Sequence, residues 1–167
     1  MIEVAGNNWT IALMEHAPDQ SLAGHVAAAV ALLFKKDLYL LRVNANERSI
    51  SHRLALYLEQ EFPDWDVDCE YNRDEIDPKR LNLNPESVEL DDVEGTTVYP
   101  DIIVHNRGET SNHLAIEIKK DSGDSAKDLQ KLQALRSQLN YTHALFLRFS
   151  TGSDAGVKQL SWESVSE

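Results

Sequence analysis

The sequence predicts one α+β domain in which helices flank a central sheet, and three observations lead there. Residues 98–105 and 113–119 are two runs rich in β-branched and apolar side chains, separated by a stretch carrying Gly108, which reads as strand, turn, strand. Apolar residues recur at helical spacing on either side of that hairpin, over 44–62 and 125–139. With 167 residues, 42% hydrophobic and 26% charged, the chain suits a single core, so 1–167 is read as one domain.

Taken in order, the residues up to about 20 show no clear period and are read as a loosely structured lead. Residues 21–36 are alanine- and leucine-rich without proline, and Ser21 can cap them, which predicts a helix with His25 as a packed or surface residue. Residues 37–43, with Leu38, Leu40 and Leu41, fit either a short strand or a continuation of that helix. Ile50, Leu54, Tyr57 and Leu58 define a helix over 44–62 that Pro63 stops. Val67, Cys69 and Tyr71 alternate with Asp68, Glu70 and Asn72, a strand over 67–73. Residues 74–94, acidic and asparagine-rich with Pro78 and Pro85, read as a long loop. Beyond the hairpin come a turn at 121–124 with Gly123, a helix over 125–139 burying Leu129, Leu132, Leu135 and Leu139, and a strand over 141–149. On that strand Leu145, Leu147 and Phe149 take one side and Ala144, Phe146 and Arg148 the other. The tail from Ser150 is polar apart from Trp162 and predicts nothing.

Strand geometry puts Glu117 and Lys119 on one face of the hairpin and Ile116 and Ile118 on the other. A turn centred near Glu109 then sets Asp101 opposite Glu117. Two carboxylates with Cβ atoms ~5 Å apart repel unless a positive charge lies between them, and a divalent cation that prefers oxygen is the natural candidate. The same register sets His105 against His113, where a zinc ion would have only two ligands, too few. Lys120, one residue beyond Lys119, points to the opposite face or leaves the strand. On a helical wheel Glu47 falls within the apolar stripe of its helix. Two readings fit it: a capping box with Asn44, or a carboxylate reaching toward the hairpin acids.

Composition narrows the chemistry. Cys69 is the only cysteine, so an intramolecular disulfide and a cysteine-rich zinc site are excluded, and a reducing cytoplasm is the simplest location. The start, Met1-Ile2-Glu3-Val4, lacks the basic residues of a secretory signal, and the longest apolar run, 26–34, is far short of the ~20 residues of a membrane span. No nucleophile elbow or Cys-His spacing appears. The net charge of -12 argues against a general basic surface for gripping phosphates and favours action beside a more basic partner protein.

Pro100-Asp101, followed on the next strand by Glu117-x-Lys119, resembles the signature of the PD-(D/E)xK nuclease superfamily, the restriction-endonuclease-like fold. The resemblance implies an α-β-β-β-α-β core, here 44–149, with a mixed central sheet flanked by helices and an extra N-terminal helix. It implies Mg²⁺, with Mn²⁺ as a substitute, held by Asp101, Glu117 and the Ile118 carbonyl and completed by Glu47. Lys119 would position the attacking water or neutralise charge on the phosphate. Arg48 and His52 on the first core helix, and Gln130 and Lys131 on the last, are the candidate phosphate contacts. The expected function is metal-dependent hydrolysis of nucleic acid, DNA before RNA. The alternative is a non-catalytic module of the same fold that binds or assembles with a partner protein, and a homodimer fits either reading.

Overall fold

In chain order the elements are β1 (Ile2–Glu3), α1 (Trp9–Glu15), α2 (Gln20–Arg42), α3 (Glu47–Glu61) and β2 (Asp66–Cys69). The two-residue strands β3 (Arg73–Asp74), β4 (Asp77–Pro78), β5 (Arg80–Leu81) and β6 (Thr96–Thr97) follow. Then come β7 (Ile102–His105), β8 (Asn112–Lys120), α4 (Ala126–Leu139), β9 (His143–Ser150) and β10 (Gly156–Glu163). This computed structural model describes residues 1–4, 8–70, 73–74, 77–78, 80–81, 96–97, 100–121 and 126–163. Tyr71 and Asn72 of the strand predicted over 67–73, most of the loop predicted over 74–94, Val98, Tyr99, Gly123 and Ser125 lie outside the described residues.

Six strands form one sheet in the order β1-β10-β9-β8-β7-β2, and two further ribbons pair β3 with β4 and β5 with β6. Within the six-stranded sheet β8 and β9 run parallel and the other pairs antiparallel, so the sheet is mixed. A parallel pair needs a crossover, and α4 supplies it. Both faces of the central strands are covered, which explains why β7, β8 and β9 are so continuously apolar. Leu114, Ile116, Ile118, Leu145, Leu147 and Phe149 pack with Leu33 of α2 and Ile50, Leu54 and Leu58 of α3. Ile103, Ala115, Ala144 and Phe146 pack with Leu132, Leu135 and Leu139 of α4. The alternation predicted for residues 144–149 is the one observed.

The helix ends differ from the prediction. Asp19, not Ser21, caps α2, its side chain accepting from the Leu22 amide at 2.9 Å. The helix runs on to Arg42, so residues 38–42 continue it beyond a kink at Asp37 (φ -130°), and Val43 is its C-cap. The Asp37 carboxylate there accepts from Arg53 at 2.8 Å and from the Tyr57 hydroxyl. Asn44 ends α2 in the left-handed region at φ 52°, a conformation asparagine tolerates. Asn46 then caps α3, accepting from Ser49 N at 2.8 Å. The Asn44–Glu47 capping box therefore does not form, because Glu47 is the first residue of α3.

Three further expectations are corrected. The lead before residue 20 is not loose: it contains β1 and α1, and Leu13 is buried. The tail beyond Ser150 supplies β10, which pairs along β9 and carries β1 on its other side. Residues 102–104 pair with 116–114 as predicted, but His105 pairs with Asn112, not His113. A bulge at this point drops His113 from the ladder, so the two histidines do not face each other. His105 instead lies 2.9 Å from Asp68 Oδ2, and His113 stacks on Trp65. Among the described residues no helix is long and apolar enough to cross a membrane.

Candidate functional site

Ile102 pairs with Ile116, Ile103 with Ala115 and Val104 with Leu114. One further step in this register sets Asp101 across from Glu117, on the face that α4 covers. At that step β7 has already left the ladder: the Glu70 amide donates to the carbonyls of Pro100 (3.0 Å) and Asp101 (3.3 Å). The Asp101 carboxylate takes up the backbone donor beyond the ladder, accepting from Ile118 N at 2.7 Å. Burial pushes the Asp101 carboxyl above its ordinary range and Glu47 adds to the effect, while the Ile118 bond and the charges of Lys131 and Lys119 oppose it.

Glu117 is 2% exposed, and Lys131 Nζ, reaching down from α4, lies 2.5 Å from its Oε1. Lys119, one pleat beyond Glu117, sets its Nζ 3.5 Å from Glu47 Oε2. Glu47 thus meets the ammonium of the hairpin, Lys119, and the capping box with Asn44 is not formed. Lys120 turns the other way and donates to Asn44 Oδ1 (2.7 Å) and to the Ala45 carbonyl (2.6 Å), tying β8 to the turn before α3. The alternation expected of the two lysines holds.

The outer residues are more dispersed. Arg48 is exposed and donates from Nε to Glu70 Oε1 at 2.7 Å. His52 and Gln130 are exposed, whereas Lys131 turns inward to Glu117 instead of outward. Arg48, Ser51, His52, Cys69, Glu70 and Asp101 line a cavity of about 200 Å³ between α3 and β2 that opens beside the hairpin acids. Two residues gain importance beyond the sequence reading. Lys131 is a partner of Glu117, and its place at the border of the apolar stripe of α4 was the available signal. Arg148 is 7% exposed and stands next to Lys119 across the β8–β9 pairing, its guanidinium 5.6 Å from the centre of the Phe146 ring. A charged residue in the apolar alternation of β9 was the signal for it.

Chemically, this end of the sheet collects carboxylate oxygens, hard donors that suit Mg²⁺ or Mn²⁺. An ammonium group already rests against the buried Glu117 carboxylate, so the surroundings accommodate a cation. Among the described residues no group of three His, Cys, Asp or Glu side chains gathers as a ready-made metal cage.

A different polar cluster occupies the other end of β8. The His113 ring stacks on Trp65 with centroids 4.7 Å apart and meets Phe62 (5.9 Å) and His143 (5.4 Å) edge-on. Burial holds both His113 and His143 below the usual imidazole range. An open cavity of about 370 Å³ lies beside them, bordered by Asp19, His25, Glu61, Asp64 and Trp65.

Comparison of the chain with protein-family models, with curated proteins and with solved structures finds no match in any of the three.

Proposed function

We propose that this protein is a metal-dependent phosphodiesterase acting on nucleic acid, DNA before RNA, built on a restriction-endonuclease-like core that runs from α3 through β9. One observation carries the reading: the Asp101 carboxylate is bonded to the amide of Ile118, the residue after Glu117, with Lys119 and its partner Glu47 one step along the strand. The element order α3, β2, β7, β8, α4, β9 supports the same core.

In this reading Asp101, Glu117 and the Ile118 carbonyl hold Mg²⁺, with Glu47 completing the set. The ion, when bound, supplies Lewis-acid polarisation of the phosphate and acidifies a water. The Ile118 amide holds one oxygen of the Asp101 carboxylate by a 2.7 Å hydrogen bond. Lys119 positions the attacking water or offsets negative charge growing on the phosphate, and Glu47 holds the Lys119 side chain in place. Arg48, His52 and Gln130 are the surface positions that phosphates of a bound strand would meet.

A second reading, a non-catalytic module of this fold that works with a partner protein, is favoured by the net charge of -12 and by the engagement of Lys119 and Lys131 with carboxylates of the chain itself. Incubating the protein with plasmid, single-stranded DNA and RNA in Mg²⁺ or Mn²⁺ separates the two. The nuclease reading expects cleavage that chelation stops and that Asp101→Asn removes. Cleavage unchanged in Asp101→Asn, or metal binding without cleavage of any of the three substrates, rejects it.

A further inference from the structure

Lys131 comes from the crossover helix, and its ammonium lies 2.5 Å from Glu117 Oε1. The contact is shielded, since the lysine side chain is 20% exposed and the glutamate 2%. Lys131 and Lys119 both favour the charged form of the Asp101 carboxyl, which burial opposes. Glu117 is paired with Lys131, and Glu47 with Lys119. A divalent ion added with Lys131 in place would meet a like charge a few ångströms away, a repulsion that is large where water is excluded.

We infer that Lys131 is an internal counterion that occupies the cation's place at Glu117 and must swing aside before a divalent ion can bind. This inference rests on reading Asp101 and Glu117 as the metal site and adds its regulation: the metal and the Lys131 ammonium exclude each other. The lysine keeps the buried glutamate paired while the metal is absent, and it sets a threshold of metal concentration. Its stem is long and flexible, and Gln130 beside it is exposed, so the released ammonium has solvent to enter. Once released it stands at the outer face of α4, where a phosphate of a bound strand could hold it. Metal and nucleic acid would then reinforce each other, each favouring the displaced position of one side chain.

Calorimetric titration of Mn²⁺ into wild type, Lys131→Gln and Lys131→Arg tests this, together with acylation of Lys131 in the wild type followed by mass spectrometry with and without Mn²⁺. The expected result is binding about tenfold tighter or more in Lys131→Gln, within the usual range of coupling between two sites, and near wild-type binding in Lys131→Arg. Acylation of Lys131 should rise several-fold with Mn²⁺, a readout that needs no variant to fold. Equal or weaker binding in Lys131→Gln, or Lys131 acylation unchanged at saturating Mn²⁺, overturns the counterion role and leaves the metal site standing. Absence of Mn²⁺ binding in wild type and in folded Lys131→Gln alike overturns the metal site itself.

Discussion

The two ends of β8 carry polar groups into the same sheet by opposite means. At the Lys119 end the charges are kept, and each is answered by another: Glu117 by Lys131, Glu47 by Lys119, and Asp101 by a backbone amide. At the His113 end charge is avoided. His113 and His143 are held below the ordinary imidazole pKa by burial; His113 packs against Trp65 and Phe62, and His143 meets it edge-on. A buried charge is costly unless paired, whereas a neutral imidazole behaves as a modestly polar aromatic. The acid-lysine end is therefore held by opposed charges, whereas the histidine end loses stability when it gains a proton.

The largest expected effect breaks the charged end. Asp101→Asn with Glu117→Gln should abolish metal-induced thermal stabilisation, which a ligand confers by binding only the folded form, and should bring metal-dependent cleavage down to background. Thermal shift and plasmid cleavage check this, and metal stabilisation retained in the double variant would contradict the site. Next in size is the contrast between neighbours. Lys119→Ala should slow cleavage about 10²-fold, as for other single charge stabilisers, with folding preserved. Lys120→Ala should leave the rate nearly unchanged and cost about 1 kcal/mol in urea denaturation, because its bonds to Asn44 and Ala45 hold the start of α3.

The histidine end predicts a pH dependence of definite sign. Because the folded pKa of His113 and His143 lies below the unfolded value, the unfolded chain takes up protons first as pH falls below about 6.5. Stability should be full above that point, decline through the window down to the lowered folded values, by at most about 1.4 kcal/mol per pH unit for each proton, and then level off. His113→Phe should flatten the decline in denaturant midpoint against pH, and an unchanged slope would exclude this histidine as its source. The smallest effect belongs to Glu47→Gln. Its half-exposed ion pair with Lys119 is worth less than about 1 kcal/mol, so stability should barely move while Mn²⁺ affinity falls several-fold by calorimetry.

Much of the charged end was legible because it depends on a period of two and on one register. Continuous apolar runs marked β7 and β8, a turn near Glu109 was enough to set residues 102–104 against 116–114, and the period of two separated Lys119 from Lys120. Legibility ended where the period breaks. The bulge that frees His113 moves it out of register and into the aromatic stack, and nothing in the spacing of the histidines announced it. In β10 the register shifts between Val157 and Gln159, so the buried Val157 and Leu160 stand three apart and the alternation that reveals a strand is lost. Asn44 and Asn46 are both good caps by type. Only the left-handed turn that closes α2 at Asn44 decides that Asn46 opens α3. The Lys131–Glu117 contact joins a helix to a strand, and no local pattern encodes such a meeting.

The pairing of Ile2 with Leu160 bears on the order in which the molecule assembles. Closing a contact between residues so distant in sequence costs more chain entropy than closing the β7–β8 hairpin, and only two residues of β1 share the return. This edge should be the last part of the sheet to form and the first to open. Under native conditions its amides should exchange with solvent hydrogen by local fraying, while those of β8 and β9, covered on both faces, wait for the whole sheet to come apart.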